Sequence, residues 1–169
     1  MKPNHPLEGI IFMADESTND EATNPLFFRR ILITIDEDDR PSTSRAFRFA
    51  LTMARDYQAH LGIASVLESD DISIYESLMP TKLNEKRDHL RSIVQEYAAK
   101  AKAFGVNDVR SIVAEGGDVD DVVLQKIIPD FQPDLVVCGA DVDFASHGHP
   151  GAIGLRLAKK SDVSVIVIR

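Results

Sequence analysis

The stretch Leu135–Arg169, LVVCGADVDFASHGHPGAIGLRLAKKSDVSVIVIR, decides the fold class. Leu135–Cys138 is a short apolar run of the kind a buried strand requires. A glycine-containing loop comes next, then a short helix over about Ile153–Lys160 and a final strand over Val163–Arg169. Strand, glycine loop and helix N-terminus in that order form an anion seat in many α/β proteins, because unpaired amides and the helix dipole face the ligand. Here the loop carries Asp141 and Asp143 and has no lysine for phosphates. The tail therefore points to a nucleotide-type fold with a weakened phosphate half.

Working outward, the same alternation runs back to Arg30. Ile31–Ile35 is an apolar, β-branched run suited to a strand covered on both faces. After the turn-like Asp38–Pro41, Ser42 or Thr43 is expected to cap a helix to about Gln58, with Phe47, Ala50, Leu51, Ala54 and Tyr57 inward. Leu61–Leu67 reads as a second strand, and Glu68–Thr81 as a loop with a short helix near Ser73–Leu78. A long helix over Leu83–Phe104 turns Leu90, Ile93, Val94, Tyr97 and Ala101 inward and stops at Gly105. Val109–Ala114 is a third strand, and Asp118–Ile128 a helix ended by Pro129. The fold class is therefore α/β: a Rossmann-like, five-stranded parallel sheet with helices on both faces, a three-layer sandwich with right-handed crossovers. Ligands in such sheets sit beyond the strand C-termini at the switch point, which here is formed by the segments leaving the first and fourth strands, from Asp36 and from Gly139 onward.

Composition narrows the function classes. The 169 residues make one ordinary domain, and a 44% hydrophobic content excludes wholesale disorder. A net charge of −8 disfavours nucleic acid and anionic membranes as partners. No apolar run approaches the roughly 20 residues of a membrane span. The N-terminus lacks a secretion-signal pattern, and the single cysteine fits a reducing compartment, so a cytoplasmic protein is expected. Residues 1–28 read as a separate, partly ordered N-terminal arm with one lysine against five acidic residues, its apolar content in Ile10–Met13 and Leu26–Phe28. Residues 29–169 form the domain.

Three pieces of this domain, in this order, carry a resemblance: ILITIDEDD, EGGDVDDVVLQ and the terminal GAIGLRLAKKSDVSVIVIR. Together they resemble the universal stress protein (UspA-like) family over Arg30–Arg169. The resemblance implies an adenine nucleotide alpha hydrolase-like fold and a stress-response regulatory role. In members that bind ATP, it implies a Gly-x2-Gly-x9-Gly-(Ser/Thr) loop. Carried over, the first glycine falls on Gly139 and the last on Gly151. The second position is Val142, the loop is one residue shorter, and the Ser/Thr position is Ala152. The resemblance places base and ribose near Thr34, Ile35, Asp36 and Val66, with Cys138 and Ile153 flanking the loop.

Physically, Val142 blocks the close backbone approach and the positive φ that glycine gives. Asp141 and Asp143, faced by Glu37, Asp38 and Asp39, repel phosphates by roughly 1 kcal/mol per pair at 4 Å in water. A Mg²⁺ ion reverses that sign, which leaves two readings open: ATP or AMP bound with Mg²⁺, or a pocket without nucleotide in a protein acting through protein partners. Gly148, Gly151 and Gly154 offer amides, and His147 and His149 can donate to an anion. A metal site of His147, His149 and Asp143 is the less expected reading, and no Gly-x-Ser-x-Gly elbow or Cys/His pair marks a nucleophile. The apolar last strand, Val163–Arg169, is an edge that two-fold pairing would cover, so a homodimer is expected.

Overall fold

Five short runs form five strands, the three central ones buried on both sides and the two edge ones partly exposed. The computed structural model describes residues 24–36, 40–140 and 152–169, and for Arg40, Asp70 and Ala152 the backbone alone. The strands are β1 (Arg30–Thr34), β2 (His60–Glu68), β3 (Val109–Gly116), β4 (Leu135–Gly139) and β5 (Ser164–Ile168). All neighbours pair in parallel, in the order β3-β2-β1-β4-β5. Ile31, Leu32, Ile33, Leu61, Ile63, Leu135, Val136 and Val137 have no solvent exposure. Burying each such side chain stabilises by about 1.5–3 kcal/mol, which overrides the weak local signal of a five-residue strand.

The crossovers cover both faces. Helices α1 (Arg40–Tyr57) and α3 (Pro80–Phe104) pack one face through Phe47, Ala50, Val94 and Ala101. The short α2 (Ile74–Ser77) lies between β2 and α3. The other face takes a helical run of α4 (Val119–Val122), a π-helical turn (Val123–Ile127) and α5 (Ile128–Phe131), and then α6 (Ala152–Lys160). Val122, Val123, Phe131 and Leu157 fill that side. The strand order reverses direction between β1 and β4, the expected switch point.

Two local expectations meet differences. Helix α1 begins at Arg40, so Ser42 and Thr43 lie in its first turn and do not cap it. Pro129 does not end its helix. The run continues to Phe131, because the π-helical turn before Pro129 opens the backbone where a proline ring would clash and where its missing N–H would leave a bond unmade. The true stop is Gln132, in the left-handed region at φ 52°. Elsewhere the expectations hold: Gly105 closes α3 with φ 106°, and α2 lies within the short helix expected near Ser73–Leu78, where Ser73 with Glu76 forms a capping box.

At the base of the sheet, the Asp134 carboxylate accepts from the Arg29 and Arg30 amides at 2.7 and 3.0 Å, fixing where β1 enters. Phe27 and Phe28, at the end of the arm, lie against Tyr57. Ile10–Met13 lies outside the described residues.

Candidate functional site

A cavity of about 270 Å³ opens beyond the C-terminal ends of the strands. It runs across the sheet from β4 and α6, over β1, to β2 and α3. Thr34, Ile35 and Asp36 line it from β1's exit, Val66 from β2, Cys138 and Gly139 from β4, and Ile153 from α6. Seven of the expected site residues thus converge on one cavity. Ala152 opens α6, with only its backbone described, and Gly151 lies outside the described residues. So do Glu37, Asp38, Asp39, Asp141, Val142, Asp143, His147, Gly148 and His149.

The first turn of α1 builds the cavity's floor. The Thr43 hydroxyl accepts from the Asp36 amide at 3.1 Å and donates to the Asp36 carbonyl at 3.0 Å. The Ser42 hydroxyl donates to the Ala140 carbonyl at 2.5 Å. These two hydroxyls, expected to serve the helix's own amides, instead tie both switch-point strand exits to one helical turn. Both residues are 3% exposed, and a buried hydroxyl of that kind needs its partners.

Gly139 has a packing reason of its own. A Cβ there would lie 2.8 Å from Ser42 Cβ and 2.9 and 3.0 Å from the Ser42 carbonyl carbon and oxygen. Gly154, one of the glycines expected to offer amides, also sits in a packed contact. A Cβ on it would meet Val167 at 2.7 Å and the Cys138 sulfur at 2.9 Å. It lets α6 lie close on β4 and β5.

Two features of the walls were not legible in the sequence. On the far side of Val66, Lys86 and His89, three residues apart on α3, enter the wall with Glu68 and Asp71. Their spacing puts them on one helix face, but only the packing of α3 on β2 aims that face at the cavity. Lys86 Nζ lies 3.1 Å from Glu76 Oε1 and donates to the Asp71 carbonyl. Glu76's carboxyl is held down to about 2, first by the Ser73 amide, then by the Ser73 hydroxyl and Lys86.

The second feature joins α4 to α6. Asp120, with a side chain only 2% exposed, faces Arg156 Nε at 2.8 Å and Lys160 Nζ at 3.2 Å. The Arg156 contact is an ion pair without hydrogen-bond alignment, whereas Lys160 donates to the other carboxylate oxygen. Hydrogen bonds from Lys160 to Asp120 and Asp121 push its ammonium upward in pKa. Val119 and Ile153, which line the cavity, sit beside these anchors. Among the described residues no cluster of three His, Cys, Asp or Glu is placed to hold a metal, and no helix is long and apolar enough to cross a membrane.

The fold recurs in known proteins. The universal stress protein UspA from Lactobacillus plantarum shares it at a TM-score of 0.71 and 19% identity, over 86% of this chain and 100% of that one. A universal stress protein solved in complex with cAMP matches at 0.61 and 18%, covering 85% and 98% of the two chains. The universal stress protein from Archaeoglobus fulgidus in complex with dAMP matches at 0.57 and 14%, covering 85% and 100%. The family model described as "Universal stress protein family" matches residues 27–169. The chain belongs to the universal stress protein family.

Proposed function

We propose that this protein is a cytoplasmic regulatory module that binds an adenine nucleotide in the switch-point cavity and works as a homodimer. One observation carries the reading: Thr34, Ile35, Asp36, Val66 and Gly139, far apart in sequence, line a single cavity at the strand C-termini. Two family members of the same fold hold cAMP and dAMP. The base would lie by Ile35 and Val66, the ribose by Asp36, and the phosphate toward Gly139 and the start of α6. The 270 Å³ of space is near the roughly 300 Å³ lower end for ligand pockets, a size suited to a nucleoside or monophosphate. The sequence after β1 and after β4 carries Glu37, Asp38, Asp39, Asp141 and Asp143, whose charge disfavours additional phosphates, so ATP should need Mg²⁺ where AMP does not.

Calorimetry with AMP, ADP and ATP, each with and without Mg²⁺, tests this. The expected result is AMP binding indifferent to metal and ATP binding that appears only with it. No heat from any of the three at millimolar concentration would end the nucleotide reading.

A second reading has its own support. Ile74, Tyr75 and Leu78 are 76–80% exposed, beside the cavity's outer wall. Large outward apolar side chains so close together suit a protein partner. In that reading the dimer acts through partners and needs no nucleotide. A complex recovered with cavity-blocked protein, for instance a Thr34→Trp variant, would favour it.

For the dimer, β5 is an edge of the sheet, its Val167 is 37% exposed, and Leu155 of α6 is 70% exposed. Two-fold pairing of this edge would satisfy its free backbone groups and cover the apolar side chains.

A further inference from the structure

We propose that Lys86 is a specificity-determining residue of the cavity, donating a hydrogen bond to an acceptor on the edge of the ligand's base. This deepens the nucleotide reading and rests on it. The cavity continues past Val66, beside which the base would lie, to a wall made by Glu68, Asp71, Lys86, His89 and Leu90. Lys86 is the lone Lys or Arg among the described residues that line it.

Its ammonium is already positioned. An ammonium has three donors, and among the described residues two of them have protein partners: the Glu76 carboxylate and the Asp71 carbonyl. Those partners fix the nitrogen while leaving the third N–H for whatever enters the cavity. The long lysine stem is only 33% exposed, so its freedom is already restricted before a ligand arrives.

The surroundings select the ligand group. Glu68 and Asp71 share this wall and, with Glu76, outnumber the one lysine. An anionic phosphate would meet net repulsion here, whereas a neutral heterocycle would not. A ring nitrogen accepts from Lys86, and the neighbouring carboxylates can accept from an exocyclic amine. The wall thus fits the edge of an aminopurine.

The same lysine also holds the strap from Ser69 to Leu78. Helix α2 within it buries no residue. The strap's other ties include its own capping box and the Ser69 hydroxyl donating to the Gly116 carbonyl at 2.7 Å. Losing Lys86 therefore has two consequences, and they must be separated by experiment.

The test measures AMP and adenosine affinity for the wild type, Lys86→Met, Lys86→Arg and Glu76→Gln, with hydrogen exchange over residues 69–79. Glu76→Gln weakens the strap but keeps the ammonium in the wall. Lys86→Met should lower affinity for both AMP and adenosine by about tenfold or more, as expected for losing a charged donor. Lys86→Arg should restore most of it, and Glu76→Gln should stay within about twofold of the wild type although its strap exchanges faster. Equal losses in Lys86→Met and Glu76→Gln would show that Lys86 acts only through the strap and overturn the proposal. A loss seen with AMP but not adenosine would move Lys86 to the phosphate and overturn the base assignment. Wild-type binding unchanged in Lys86→Met would overturn the inference alone, whereas a wild type that binds neither compound overturns the nucleotide reading as well.

Discussion

Replacing Gly139 with alanine tests whether this glycine is required by packing before any ligand arrives. The added Cβ would sit 2.8 Å from Ser42 Cβ and 2.9–3.0 Å from Ser42's carbonyl group. Two of these three contacts are backbone, so a rotamer change does not relieve them. Either β4's exit or α1's first turn must move by about half an ångström, an overpacking cost of roughly 1–3 kcal/mol. That movement also strains the 2.5 Å bond from the Ser42 hydroxyl to the Ala140 carbonyl, whose net worth is about 1 kcal/mol. The total, about 2–4 kcal/mol, lowers Tm by roughly 4–16 °C at this chain length. Urea and thermal unfolding of the ligand-free protein measure it. Ser42→Gly in the same molecule removes the Cβ–Cβ contact but keeps the carbonyl contacts and deletes the hydroxyl that holds Ala140, so it should not restore the loss. A Gly139→Ala protein within about 0.5 kcal/mol of wild type would refute the packing argument and return Gly139 to a purely ligand-facing role.

The same geometry gives three other expected outcomes. Asp120→Asn leaves Arg156 and Lys160 facing a neutral amide. Removing one partner of a buried pair costs roughly 3–5 kcal/mol, but these cations are 43% and 48% exposed, so about 1–3 kcal/mol is expected in urea unfolding, and no change would sink the anchor role. Glu115's carboxyl lies below its ordinary value of 4.5 because of the Arg87 hydrogen bonds. A depressed folded value means stability that is present above 4.5 and lost as pH falls through the folded value, so the gap between wild type and Arg87→Met should close in acid. With side chains 30% and 39% exposed, that gap is small at pH 7 beside the Asp120 effect, and one that widens on acidification would contradict the assignment. Val167→Lys places a charge on the β5 edge and should convert a dimer to a monomer. Light scattering at micromolar concentration reads this directly, and a wild-type mass of 18.7 kDa would itself refute the dimer.

Much of the architecture was legible because burial writes itself into short apolar runs. Ile31–Ile35, Leu61–Leu67 and Leu135–Cys138 each lie within one or two residues of a strand, and Gly105 ends its helix by the left-handed φ that glycine tolerates. Hydroxyl and proline signals were less legible because they depend on neighbours distant in sequence. Ser42 and Thr43 are sound capping residues locally, yet Ala140 and Asp36 offer them better-placed partners. Pro129 is a sound helix stop, yet a π-helical turn five residues long absorbs it. The site divides the same way. Strand-end positions such as Asp36 and Gly139 follow from topology, whereas Lys86 and His89 depend on the rotational setting of a 25-residue helix against the sheet.

Gly139 shows why a motif residue can be right for two reasons at once. The family resemblance reads it as the first glycine of a phosphate loop, whose value would be to let backbone approach an anion. In the fold, the approach it permits is that of α1's first turn to the end of β4, with Ser42 Cβ within 2.8 Å of where a Cβ would stand. The second approach creates the conditions for the first. By drawing α1 under β4's exit, Gly139 lets Ser42 hold Ala140 and brings Thr43 to Asp36, and so sets the two strand exits side by side as one floor. Val142 and Ala152 depart from the phosphate-loop pattern that the resemblance implies, whereas a change at Gly139 would disturb the cavity itself. A degenerate loop is therefore weaker evidence against a ligand than its spelling suggests, because the residue that shapes the pocket is still present.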